Sequence, residues 1–221
     1  MVRGQQQKNP PLRLAVFASG TGSNFRAIVD SIEDGKLNAV VVGLISNNPD
    51  AGAIVLAESK QIPCEIVNKK RYPDESEHDA KILNILEQWK TNFIILAGYM
   101  KMINPLIVEK YKNRILNIHP ALLPSFGGKG MYGLHVHEAV IEYGVKFSGV
   151  TVHIVNNEYD AGPVVLQRVV PVLDDDTPQS LQQRILKEEH IIYTEAIQLF
   201  AENRITVSGR RVFVQRDHAK N

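Results

Sequence analysis

The sequence predicts an α/β fold in three layers: a mostly parallel sheet covered by helices on both faces, with an antiparallel C-terminal part. Three observations carry that expectation. Short apolar runs alternate with segments of helical periodicity through the first half of the chain. The run Asn92-Phe93-Ile94-Ile95-Leu96-Ala97 is almost continuously apolar, as in a strand buried on both faces. Two later apolar runs, 147–155 and 164–172, are joined by the turn-rich Asn156-Asn157-Glu158-Tyr159-Asp160-Ala161-Gly162-Pro163, which suits antiparallel neighbours.

Taken in order, residues 12–18 are the first expected strand and 19–24 (Ser-Gly-Thr-Gly-Ser-Asn) a small-residue loop. The spacing Phe25, Ile28, Val29, Ile32 predicts a helix. A strand over 39–45 ends in Ser46-Asn47-Asn48-Pro49, followed by a helix over 52–60 and a short strand over 63–67. Residues 68–77 read as a charged loop, and 79–90 as a helix with Ile82, Leu83, Ile85, Leu86 and Trp89 inward. After the 92–97 strand, a helix over 105–112 leads into a strand from 114, stopped by Pro120. Residues 125–132 are rich in glycine and expected to be exposed; a helix over 134–143 precedes the antiparallel strands. Thr177-Pro178 is a cap followed by proline at the first helical position, opening a helix to about 201. Its apolar stripe is Leu181, Ile185, Ile192, Ala196 and Leu199. Residues 205–207 and 211–214 around Ser208-Gly209 read as a hairpin. The expected organisation is one domain over 12–215, a disordered polar lead-in over 1–11 and a tail over 216–221.

Composition narrows the function. The formal net charge of +1 supplies no global field to attract nucleic acid or an acidic membrane. A single cysteine, Cys64, fits a reducing compartment and reads as packing. No apolar run approaches the roughly 18 residues of a membrane span, and residues 1–11 lack an apolar signal core. The expectation is a cytoplasmic protein with small-molecule partners, monomer or homodimer, contacting neither nucleic acid nor membrane.

Several residues carry chemistry. Asn117 and His119 lie two apart on an extended chain, so they share a side where the strand ends at Pro120. Open α/β sheets place ligands there. Asn117 could donate to a developing oxyanion and His119 could move a proton near neutrality; the bland alternative is a turn cap and a satisfied core histidine. Strand, glycine loop and helix around Gly22, Ser23 and Asn24 make an anion site. It fails as a dinucleotide fingerprint, since Phe25 stands at the third glycine and no acid ends the second strand. A single phosphate remains, against a simple turn in which Ser23 or Asn24 caps the helix. Met100, Lys101, Met102 and Ile103 follow a strand end and could wall an apolar pocket for a flat ring, or be core filler. His135 and His137 point apart on a helix and lack a partner motif, so capping or shaping the site is expected of them, not metal binding. Asp160 is the carboxylate expected to pair with His119 and raise its pKa; the alternative is an Asx turn. Glu189 falls on the apolar stripe of the last helix, where a carboxylate needs a partner or a ligand: a sugar hydroxyl would serve, and the bland alternative, favoured by the residues alone, is a structural salt bridge.

With these pieces in place, the chain closely resembles the phosphoribosylglycinamide (glycinamide ribonucleotide) formyltransferases, of the folate-dependent formyltransferase family. The resemblance covers nearly everything from Leu12 to Phe213. It rests on Gly22-Ser23-Asn24, Ala97-Gly98-Tyr99-Met100, Leu116-Asn117-Ile118-His119-Pro120 with Leu122-Leu123-Pro124, Asp160-Ala161-Gly162-Pro163, and Glu189-His190, in order. It implies a Rossmann-like formyltransferase fold, with a phosphate-binding N-terminal half and a folate-binding, catalytic C-terminal half. It implies formyl transfer from 10-formyltetrahydrofolate to the amine of the ribonucleotide, in purine synthesis, without a metal. Asn117, His119 and Asp160 would be catalytic. Gly22, Ser23 and Asn24 would hold the phosphate and Glu189 the ribose. Met100, Lys101, Met102, Ile103 and Asn117 would face the folate.

The sequence departs from the pattern at Ala121, where serine is common, at Lys101, where arginine is common, and in a longer 127–132 segment. Lys69, Lys70 and Arg71 are the candidates for a basic residue near the folate. Among related classes, methionyl-tRNA formyltransferase is expected to have a further C-terminal domain and glycine after the histidine. Formyltetrahydrofolate deformylase is expected to have an N-terminal regulatory domain. A non-catalytic nucleotide-binding module would use the Gly22 loop alone.

Overall fold

The computed structural model of the chain describes residues 9–215. The expectations for residues 1–8 and 216–221 lie outside the described residues. Asn9, within the stretch expected to be disordered, donates to the Ala201 carbonyl at 3.2 Å and accepts from Asn38 Nδ2 at 2.9 Å.

Seven strands form one sheet. In chain order they are β1 (Leu12–Phe17), β2 (Ala39–Ser46), β3 (Cys64–Ile66), β4 (Phe93–Leu96), β5 (Ile115–His119), β6 (Phe147–Ile154) and β7 (Val164–Pro171). Their spatial order is β3-β2-β1-β4-β5-β6-β7. The first five run parallel, while β6 and β7 add as antiparallel neighbours, as the turn-rich loop 156–163 predicts. A separate hairpin pairs β8 (Ile205–Ser208) with β9 (Arg211–Val214).

The period-2 alternation of β1 divides the core. Leu14 and Val16 point to one face, against α1 (Ser23–Glu33), α2 (Gly52–Ser59), α5 (Leu134–Tyr143) and α6 (Pro178–Ala201). Ala15 and Phe17 point to the other, against α3 (Glu75–Gln88) and α4 (Pro105–Lys110). A strand sandwiched between helix layers must be apolar on both sides, which is why Phe93 to Leu96 is buried at every position. Cys64 is half-buried and burial pushes its thiol up, ahead of the charges of Glu58 and Glu65, in keeping with packing.

α3 begins four residues earlier than expected. Asp74 accepts the Glu77 N–H at 2.9 Å as its N-cap, and Glu75 and Glu77 lie in the first turn, where the helix dipole favours them. The charges that read as loop are therefore those of a helix start. Leu83 and Trp89, expected inward, are half-buried at the margin of that face.

The strand order sets the site. From β1 the chain steps outward to β2 and β3, then returns to lay β4 on the opposite side of β1. The connections leaving β1 and β4 diverge, opening a crevice at their carboxyl ends. The loop after β1, the segment after β4 and the end of β5 all face it.

Candidate active site

A cavity of about 790 Å³ occupies that crevice. Ser23 and Asn24 line it from the β1–α1 loop, Met100 to Ile103 from the segment after β4, and Asn117 and His119 from β5. Asp160 enters from the β6–β7 loop, and Glu189 from α6.

The anion loop is shaped by Gly22. Its φ of +81° is left-handed, and a Cβ there would lie 2.8 Å from the Ala53 Cα. Gly22 is the N-cap of α1, and among the described residues no side chain caps this helix. The capping alternative for Ser23 and Asn24 therefore falls: the N–H groups of the helix start are left without a side-chain cap. Asn24 instead reaches to α6, its Nδ2 donating to Glu189 Oε2 at 2.7 Å. Asn24 Oδ1 is buried without a partner among the described residues. Glu189 is 8% exposed, and burial raises its carboxyl above the usual range against the opposing Asn24 bond. Two acceptor groups thus stand side by side, one orphaned and one desolvated. A hydroxyl pair would satisfy both.

The opposite wall is Met100, Lys101, Met102 and Ile103. Ile103 is buried at 4%, whereas Met100 and Met102 are 49% and 45% exposed, so the methionines face the opening and are not core filler. Asn104 anchors the segment: it caps α4 by accepting the Leu106 N–H at 2.7 Å and donates to the buried Asp79. The Tyr99 phenol behind this wall is pushed up to about 12 by burial, with Asp79 adding to it. None of Lys69, Lys70 and Arg71 lines the cavity; Arg71 turns back to the Ile66 carbonyl at 3.3 Å. The cations that do line it are Lys101 and Lys129.

Asn117, His119 and Asp160 meet between these walls. His119 Nε2 lies 2.8 Å from the Phe126 carbonyl. That oxygen can only accept, so Nε2 carries a proton and Nδ1 is left to exchange one. His119 Nδ1 is 3.5 Å from Asp160 Oδ2. Asn117 Nδ2 is 3.4 Å from Asp160 Oδ1. Asp160 has a left-handed φ of +51° and its Oδ2 accepts the Gly128 N–H at 2.9 Å. Its approach depends on Gly162, where a Cβ would sit 1.7 Å from the Ile154 carbonyl. Only glycine lets the β6–β7 loop fold that closely over the sheet end.

The net pKa shift of His119 is opposite to expectation. Burial holds the imidazole below its usual value and outweighs the attraction of Asp160 and the Phe126 carbonyl; His153 adds to the lowering. Burial works to raise the Asp160 carboxyl, but His153, His119 and the Gly128 N–H together hold it below the usual range. The resting pair is therefore a neutral imidazole beside a carboxylate.

Two histidines extend the group. His153 sits directly across from Asn117 in the β5–β6 register and is buried at 2%. Its Nδ1 faces the Ile154 carbonyl at 3.1 Å, and its Nε2 stands 3.1 Å from Asn117 Nδ2 and 3.6 Å from Asp160 Oδ1. His153 thus aims the carboxamide, a role its position in the sequence does not reveal. The only advance signal is that 117/119 and 151/153 share a side if those two strands pair. His135 and His137 diverge as helical spacing requires: His135 is exposed beside Glu138 at 3.1 Å, while His137 is 1% exposed and lines the cavity. Burial, with His119 nearby, pushes His137 down to about 4.

Fold and site together define a class: an α/β enzyme with a mononucleotide-type anion loop and an imidazole–carboxamide–carboxylate group at the switch point of its sheet. The Formyl transferase family matches residues 12–197, and the chain belongs to that family. It is 44% identical over 205 residues to the chloroplastic phosphoribosylglycinamide formyltransferase of Arabidopsis thaliana, covering 92% of this chain and 70% of that protein. It is 35% identical to the phosphoribosylglycinamide formyltransferase of Haemophilus influenzae, covering 91% and 93% respectively. Among solved structures, glycinamide ribonucleotide transformylase 1 from Symbiobacterium toebii superposes with a TM-score of 0.89 at 38% identity, over 97% of this chain and 99% of that one.

Proposed function

We propose that the chain transfers the formyl group of 10-formyltetrahydrofolate to the amine of phosphoribosylglycinamide, a step of purine biosynthesis. The observation that carries this reading is the convergence of Asn117, His119 and Asp160 between an uncapped helix start and a methionine wall.

Gly22, Ser23 and Asn24 hold the phosphate at the start of α1. Asn24 Oδ1 and Glu189 accept from the ribose hydroxyls. Met100, Met102 and Ile103 flank the pterin, with Lys101 at the wall's outer edge. Attack of the amine on the formyl carbon develops an oxyanion there. One Asn117 hydrogen faces His153; the other makes only the long 3.4 Å contact to Asp160, and this is the one an oxyanion captures. The attacking nitrogen must shed a proton. Neutral His119 takes it at Nδ1, and the imidazolium formed is stabilised by Asp160 and by the Phe126 carbonyl. His119 then returns the proton to the departing folate nitrogen, which leaves the enzyme as it began.

The test is a transfer assay on the purified chain. Formyl should appear on the ribonucleotide amine with equimolar tetrahydrofolate; release of formate to water in place of transfer would identify a hydrolase instead. Acid should slow the reaction. Acid protonates the amine first and then His119, whose buried ring takes up its proton only below the usual histidine range, so kcat/KM should fall as the pH is lowered; a flat profile would contradict the base role.

A further inference from the structure

Three strands of the sheet, β1, β2 and β4, end within hydrogen-bond reach of one small residue, Ser19, which lies outside the cavity and is 9% exposed. It sits between β1 and the anion loop. Every polar group it has is used. Its N–H donates to the Gly98 carbonyl at 3.1 Å, and its carbonyl accepts from Asn48 Nδ2 at 3.1 Å. Its hydroxyl donates to Asn47 Oδ1 at 2.5 Å and accepts the Met100 N–H at 2.9 Å. Asn47 is in turn held at its carbonyl by Asn68 Nδ2 at 3.2 Å, beyond the end of β3.

The bond from Ser19 N–H to the Gly98 carbonyl is a backbone tie that follows the β1–β4 pairing, but beyond it the parallel strands have stopped, and the hydroxyl carries the connection on to Met100 and Asn47. Without the hydroxyl, the segment after β4 would keep its tie at Gly98 and lose the one at Met100. Gly98, with a φ of +72°, gives the segment no stiffness of its own. The two loops face the two ligands of the proposed reaction. Their relative placement fixes how far the ribonucleotide amine lies from the formyl carbon.

We infer that Ser19 is a positioning residue that ties the anion loop to the methionine wall and so couples the two ligand sites. The inference rests on the formyl-transfer reading for the identity of the ligands. In Ser19→Ala, Met100 N–H and Asn47 Oδ1 both lose their partner in a part-buried setting, and each loop gains freedom.

Calorimetry with tetrahydrofolate and with phosphoribosylglycinamide, each alone and each in the presence of the other, tests it. Wild type should bind each ligand more tightly when the other is bound. Ser19→Ala should weaken each by about tenfold, the scale of one buried hydrogen bond lost, and abolish their mutual enhancement. In turnover, KM for both substrates should rise more than kcat falls. Asn47→Ala, which does not line the cavity, should act in the same direction, and Ser19→Thr, which keeps the hydroxyl, should restore coupling. Val170→Ala, a core truncation in β7 far from the crevice, controls for loss of stability and should leave both affinities unchanged. Unaltered affinities and coupling in Ser19→Ala and Asn47→Ala would overturn the inference, as would affinities that fall equally in Val170→Ala. Wild type that binds neither ligand would instead overturn the functional reading.

Discussion

At the scale of residues, burial decides the chemistry. His119 is 3% exposed, and desolvation defeats the carboxylate beside it. A neutral ring is useful to an enzyme that must first accept a proton, and the nearby Asp160 becomes valuable once the ring is charged. His119→Ala and Asp160→Ala should each lower kcat by about 10²–10⁴, the usual range for a lost acid–base group. Their thermal transitions should show that the fold survives. Near-normal turnover in either would remove the group from the mechanism. His137 makes a prediction about stability. Its folded pKa is about 4 against an ordinary 6.5, so between those values the unfolded chain binds the extra proton. Stability should therefore be lost as pH falls through that window, by about 2 kcal/mol for this residue between pH 7 and 5. Denaturant midpoints of His137→Gln should show a shallower acid dependence than wild type; equal slopes would mean that His137 is protonated freely in the fold.

At the scale of elements, connections matter more than strands. β1 and β4 are ordinary buried strands, and function resides in how each is left. Gly22 turns the chain into α1 so tightly that a single methyl group would meet the Ala53 backbone. Gly22→Ala should therefore combine left-handed strain of about 1–2 kcal/mol with that clash. The expected outcome is a lower melting temperature and at least a tenfold rise in KM for the ribonucleotide. An unchanged KM would show that the phosphate binds elsewhere. α6 ties β4 to β5. Tyr193, fully enclosed, places its hydroxyl 2.9 Å from the Leu96 carbonyl and 3.0 Å from that of Leu116. It is one turn beyond Glu189, so the helix that presents the carboxylate is pinned beside the strand end that presents Asn117.

At the scale of the molecule, the crevice divides the described residues, and the proposed function assigns a ligand to each of its sides. Binding to the folded state alone stabilises it by mass action, by about 2.7 kcal/mol at a hundredfold excess over Kd. For a chain of this size that corresponds to a rise in melting temperature of about 5–10 °C. Phosphoribosylglycinamide and tetrahydrofolate should each produce it in a thermal-shift assay. No response to either would be incompatible with the proposed function. Among the described residues no helix is long and apolar enough to cross a membrane.

Much of this was legible in the residues themselves. Period-2 and period-3.6 patterns placed the strands and helices, and proline after His119 marked a strand end, because these signals are local and steric. The Asn117–His119 pair could be put on one side of a strand for the same reason. The start of α3 is not legible in the sequence, because Asp74, Glu75 and Glu77 look alike in a loop and in a helix's first turn. What the sequence by itself determined was which residue types stand at which strand ends. The tertiary structure alone decided that His153 lies opposite Asn117, that Asn24 meets Glu189, and that burial sets the sign of the His119 shift. Pairing register and desolvation depend on atoms far apart along the chain, so no local pattern of residues can encode them visibly.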